Sequence, residues 1–140
     1  MNTKTLIAGL VGGVAAFLLG WVVYGMALDA FMKENTNQCA ALEMKDMNMM
    51  LMVIGNLTSG LVMALILSWA NVTNFMGGIM KAAIVGLLYA FTFDLMMHSM
   101  STYFSNSTAL VVDVLASTVM TAIVGGVIGW MLGRGNSASA

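Results

Sequence analysis

Residues Met80 to Phe104 read MKAAIVGLLYAFTFDLMMHSMSTYF, and the fold turns on how this stretch is read. As one helix it is long enough to cross a bilayer. It nevertheless carries Asp94 and the chain's only histidine, His98, four residues apart and so on one helix face. An ionisable side chain among lipid tails costs roughly 3 kcal/mol unless it finds a partner. Backwards along the same face come Ala90, Gly86, Ala82 and Gly78, all small. The stretch therefore predicts close helix packing at one end and a polar site at the other.

The rest of the composition agrees with a membrane setting. Of 140 residues, 60% are hydrophobic and only 8% are charged. A soluble domain spends about a quarter of its residues on charge, so this chain cannot cover a water-exposed surface of its size. Mean hydropathy is +0.92, and no proline interrupts the apolar runs. A net charge of −1 leaves no electrostatic footprint for nucleic acid. The single cysteine, Cys39, excludes an intramolecular disulfide and a Cys-x-x-Cys site, and reads as a small loop residue.

Four spans follow from the polar breaks: about 5–28, 47–70, 76–103 and 110–132, with 133–140 a disordered tail. The first apolar run is too long for a signal-peptide core and reads as an uncleaved span. Between the first two spans lies DAFMKENTNQCAALEMKD, which holds most of the charges. Thr36 or Asn37 is placed to cap a helix rising from there into the second span, and Ser107 or Thr108 to cap the fourth. The expected fold is an all-α integral membrane protein, a single domain, four transmembrane helices in an up-down bundle with N- and C-termini on the same side. Lys4, Lys81 and Arg134 outnumber Lys33 and Lys45 of the first loop, which puts the termini in the cytoplasm. Trp69, Phe75 and Trp130 would form the inner aromatic belt, and Trp21, Tyr24, Phe31, Tyr103 and Phe104 the outer one.

Every span also carries a ridge of small or polar residues at four-residue spacing. The glycines among them are Gly9, Gly13 and Gly20 in the first span, Gly60 in the second, Gly86 in the third, and Gly125, Gly129 and Gly133 in the fourth. Small residues let helix backbones approach closely where lipid supplies no hydrophobic drive. The ridges look more extensive than four short helices need, which leaves Gly9 and Gly13, or the Gly125–Gly133 face, for a partner.

Depth then groups the polar residues. Counted from Asn106 in the outer turn, His98 lies eight residues back and Asp113 seven forward, so the two should sit at nearly one height. Asp94 matches Ser117 in the same way, and Gly86 falls level with Gly125. With Tyr24 and Asn56, these residues predict an outer polar layer of Asp94, His98, Asp113, Asn56 and Tyr24, centred on a contact between His98 and Asp113. Such a layer either fixes helix register or holds a proton or cation.

A metal reading rests on the 16 methionines. Met96, Met97 and Met100 surround His98, and thioether with imidazole favours Cu(I); methionine is equally a flexible space-filler. No HExxH, phosphate loop or nucleophile triad is present, so no cofactor beyond that copper option and no catalysis are expected.

Gly20-Trp21-Val22-Val23-Tyr24-Gly25, the opening Met1-Asn2 and the closing Gly125-Gly126-Val127-Ile128-Gly129-Trp130 resemble a bacterial family of small four-helix membrane proteins catalogued as a domain of unknown function. The resemblance spans most of the chain, although two valines separate Trp21 from Tyr24 and no proline follows, unlike the family pattern. It implies the same fold and a bacterial inner-membrane location, with no activity attached. The function expected from sequence is that of a small non-catalytic membrane protein acting by helix association, as a homo-oligomer or an accessory subunit of a larger membrane complex in the lipid bilayer. The alternatives are a proton- or cation-linked transport or binding protein and a Cu(I)-handling one. For transport, so few helices call for an oligomer.

Overall fold

A computed structural model describes residues 2–37 and 47–134. The helices are α1 (Thr3–Val22), extended by a π-helical turn over Val23–Ala27, then α2 (Asp29–Asn35), α3 (Met49–Trp69), α4 (Phe75–Met100) and α5 (Ser107–Gly133). Four of these, α1 with its π turn, α3, α4 and α5, are long and apolar enough to cross a membrane. The architecture is an all-α four-helix membrane bundle with no strand among the described residues.

One device starts all four spans. Asn2, Asn48, Asn74 and Asn106 each sit in extended backbone, and each side-chain oxygen accepts the amide three residues on. The first-turn amides of a helix have no internal partner, and an asparagine cap satisfies one of them. The fourth span is thus capped by Asn106, which accepts from Ala109 N at 2.9 Å, and not by Ser107 or Thr108. Gly133 closes α5 rather than opening the tail.

The bundle is two close-packed hairpins joined through their first and last helices. Along α4 and α5, Gly78 lies against Gly125 and Gly129, Ala82 against Gly125, and Gly86 against Thr121. In the other pair, a Cβ on Gly13 would lie 2.6 Å from Leu57 Cα, and one on Gly60 would overlap the Gly13 nitrogen and Gly9 oxygen. Backbone therefore meets backbone, which only glycine allows. Gly12 admits the Ile128 side chain, joining α1 to α5, and Ala8, Ala64, Leu67 and Ile128 are fully buried there. These glycines are consumed inside the bundle. The contacts of Gly9, Gly13, Gly125 and Gly129 are therefore within the bundle, where the ridges suggest a face for a partner. Gly20 does not need to be glycine at all: a Cβ there would meet only Met120 Cε, at 3.7 Å.

The end of the bundle away from the first and last described residues, called the outer end after the expected orientation, is closed by α2. Its last residues pair with the α4–α5 loop: Ser105 N donates to Asn35 O at 2.9 Å, Asn37 N to Tyr103 O at 2.6 Å, and Asn106 Nδ2 to Asn35 Oδ1 at 2.7 Å. Thr36 is thus extended and bridged to Phe104; the helix expected to follow it lies largely at 38–46, outside the described residues, as do Cys39 and Met44. Phe104 is buried in a second core with Met32, Leu110 and Val114, and Tyr24 packs on it. Neither therefore belongs to an outer belt. Trp69, Phe75, Trp130 and Trp21 are exposed.

The ring of helices is not closed. Helix α3 packs on α1, and α4 packs on α5, but α3 and α4 barely touch each other. A cleft between them runs inward to α5.

Candidate functional site: a carboxyl pair in an open cleft

The close approach of α4 and α5 fixes what meets at their polar end. Gly78 with Gly129, Ala82 with Gly125 and Gly86 with Thr121 are all equidistant from the point between Tyr103 and Phe104. The same register puts Asp94 level with Asp113. It differs by about one helical turn from the register centred on Asn106, because the connection uses six residues, Ser101 to Asn106. Ser101 leaves the helix in extended backbone, and Phe104 turns into the core.

Asp94 is only 4% exposed. Asp113, level with it on α5, lines the same cleft, and Asp94 Oδ2 is buried with no hydrogen-bond partner among the described residues. Both acids line the α3–α4 cleft, a space of about 590 Å³, with Ser117 and Thr121 beside them and Tyr89, Phe93, Val62 and Met63 among its walls. No lysine, arginine or histidine is among the described residues of that lining.

Tyr24 joins the site from α1. The π-helical turn, marked by Leu28 N donating to Val23 O at 2.7 Å, carries this residue, and such turns recur at functional sites. The Tyr24 hydroxyl lies 3.0 Å from Ser117 Oγ and 3.5 Å from the Asp113 carbonyl oxygen. Asn56 bonds back to Met52 O at 2.9 Å and reaches neither acid by a direct hydrogen bond. It lines two smaller spaces instead, of about 330 and 230 Å³, which share Gly20, Tyr24 and Asn56 with each other. The inner of these shares Ser59, Met63, Ser117 and Thr121 with the cleft. The outer one reaches Asp29 and Met47. Three neighbouring spaces thus lie in sequence between the Asp29 end of the bundle and the carboxyl pair, with Tyr24 on the walls of two of them.

His98 is not part of this layer. It is exposed, lines a shallow outer depression with Lys33, Thr36 and Ser105, and sets its ring 6.5 Å from that of Phe104. The predicted contact with Asp113 is replaced by Asp94. A four-residue step also turns about 40° around the helix, so sharing a ridge with Asp94 does not hold His98 on the same bearing. Met96 and Met100 are exposed, Met97 packs on the outer core, and no methionine is among the described residues lining the histidine's depression.

Sequence reasoning missed Thr5. It is buried at the opposite end, donating to Asn2 Oδ1 at 2.9 Å and lying within 3.4 Å of Ser68 Oγ; the asparagine three residues before it was the available signal. No protein-family model, no curated protein and no solved structure matches this chain.

Proposed function

We propose that this protein binds and exchanges a proton or a small cation within the bilayer at the Asp94–Asp113 pair. The observation that carries the reading is the buried Asp94 oxygen without a partner, level with Asp113 in a cleft that has no basic side chain among its described lining residues. Like charges on neighbouring helices repel strongly in a low dielectric, and a proton or cation bound there removes the repulsion. A knot that merely fixed register would satisfy its own polar atoms. The neighbouring spaces past Tyr24 lie on the route that access from the outer end would take. The helix ends near Thr3 and Gly133 then face the cytoplasm of a bacterial inner membrane, in line with the basic residues there. Lys81 Nζ reaches that end, donating to Ala70 O at 2.5 Å.

The reading is of a binding or transport protein and not of an enzyme. Ser99 and Ser101, the hydroxyls nearest His98 in sequence, donate to the Met96 and Met97 carbonyls at 2.9 and 2.7 Å, so neither is poised as a nucleophile.

Infrared difference spectroscopy on the protein in lipid bilayers tests the proposal. A carboxyl C=O band that titrates with pH is expected in the parent chain, with its frequency and midpoint altered in both Asp94→Asn and Asp113→Asn. A band unaltered by either substitution refutes it.

A second reading, association with another copy or a larger membrane complex, is favoured by the open side between α3 and α4. Native mass spectrometry from detergent tests it: a monomer with no bound protein counts against it.

A further inference from the structure

The cleft is far larger than a proton or a bare ion requires. A volume of about 590 Å³ falls in the range of pockets that bury a drug-sized molecule, about 300–1,000 Å³. Its walls are mainly apolar, and its two acids, Asp94 and Asp113, lie level with each other on α4 and α5. That division, a greasy volume with an acidic floor, matches a molecule with an apolar body and one positive charge. A hydrated metal ion would be served differently, since hard cations want six or more oxygen ligands.

Two features of the mouth point the same way. The cleft opens between α3 and α4, which barely touch, so its entrance faces the side of the bundle and therefore the lipid. Tyr89 and Phe93 stand at that entrance, 73% and 53% exposed, with their rings stacked at 6.3 Å and nearly parallel. Aromatic faces attract a cation on its way into a desolvated site.

We propose that the α3–α4 cleft takes a hydrophobic organic cation laterally from the bilayer and seats its charged centre against Asp94 and Asp113. This rests on the reading of the pair as a proton or cation site and names its occupant. Charge balance follows simply. A pair holding one proton exchanges it for one organic cation, with the proton released and no covalent bond made or broken in the ligand. The ionisable groups around Asp94 are Asp113 on α5, Tyr24 on the π turn and Tyr89 on α4; α3 contributes Thr58 and Ser59, which do not titrate. None of these can replace the cation as a counter-charge.

The test uses the full chain in phosphatidylcholine nanodiscs with tetraphenylphosphonium, whose charge is permanent, and neutral triphenylphosphine oxide as its control. Saturable binding of one phosphonium per chain is expected, with proton release, with affinity falling as pH is lowered, and without competition from the oxide. Asp94→Asn should weaken binding at least tenfold. Val62→Trp, which fills the cleft wall and leaves both acids in place, should abolish phosphonium binding while keeping the titrating carboxyl band. His98→Gln, outside the cleft, should leave binding unchanged. Circular dichroism of each variant establishes that it is folded.

Equal uptake by the parent chain and the folded Asp94→Asn variant overturns the proposal, as does equal competition by the neutral oxide. So does a dimer that shields Tyr89 and Phe93 and binds no phosphonium. If the carboxyl band titrates normally while phosphonium does not bind, the organic-cation inference fails and the proton site stands. Loss of both overturns the two together.

Discussion

Gly60→Ala is the sharpest probe of how this bundle is held. A methyl group on Gly60 would overlap the amide nitrogen of Gly13 and the carbonyl oxygen of Gly9. Neither neighbour is the end of a flexible side chain, so relief requires α1 and α3 to separate. Overpacking of this kind costs about 1–3 kcal/mol, and the upper half applies where backbone must move. Helix propensity works the other way, favouring alanine over glycine by about 1 kcal/mol. The net expectation is a loss of about 1–2 kcal/mol. Gly55 lies on the same helix with nothing within 4 Å of a Cβ, so Gly55→Ala should gain about 0.5–1 kcal/mol by the propensity effect alone. Gly20→Ala, which would meet only Met120 Cε at 3.7 Å, belongs with Gly55. Unfolding by sodium dodecyl sulfate titration from mixed micelles, followed by circular dichroism, measures all three. Were Gly60→Ala to fall within about 0.5 kcal/mol of Gly55→Ala, inside the scatter usual for surface substitutions, the backbone contact between α1 and α3 would be refuted.

Three other perturbations have definite outcomes. Asn106→Ala removes both the α5 cap and the bond to Asn35, and should cost about 1–2 kcal/mol in the same titration, whereas Ser107→Ala and Thr108→Ala should change little. Tyr24→Phe loses the hydroxyl contact with Ser117; a loss near 0.6 kcal/mol is expected, and Ser117→Ala should add nothing further in the double variant. Copper(I) titration of the reduced protein should give the same uptake for the parent chain and His98→Ala, because no methionine is among the described residues beside the imidazole; a loss of bound copper in that variant would restore the metal reading.

The fold was legible because lipid makes a coarse demand. Four apolar runs must be helices, since no other backbone arrangement of this length satisfies its own hydrogen bonds in hydrocarbon. The small-residue ridges also announced which faces pack. What the ridges could not announce was that Gly9, Gly13, Gly125 and Gly129 spend their closeness inside one chain, because a ridge seen in sequence carries no record of its partner. The capping asparagines were equally open to view. Hydroxyl residues beside Asn106 drew attention away from it, although Asn2, Asn48 and Asn74 stand before the other three spans. Burial of Asp94 followed from its ridge, whereas the pairing of Asp113 required the length of the connecting loop.

That loop decides the chemistry of the site. A tight turn at Asn106 would bring His98 opposite Asp113, giving an acid and a base that neutralise each other. Six connecting residues shift α5 by about one turn, and the opposing group becomes Asp94. The loop keeps this register because its backbone is tied to α2 at Asn35 and Asn37, and because Phe104 is buried beneath Met32 and Leu110. A segment outside the four spans thereby sets which side chains meet within them. The consequence is electrostatic: an Asp–His contact is self-sufficient, while two carboxyls in a cleft with no basic residue among its described lining are not, which is the ground of the proposed proton or cation site. The same register carries the glycine contacts at the far end of α4 and α5, so the pair cannot slip apart by a turn without placing Ala82 or Thr121 against the wrong neighbour. Packing at one end thus holds Asp94 and Asp113 level at the other, and the open side between α3 and α4 leaves room for the occupant proposed above.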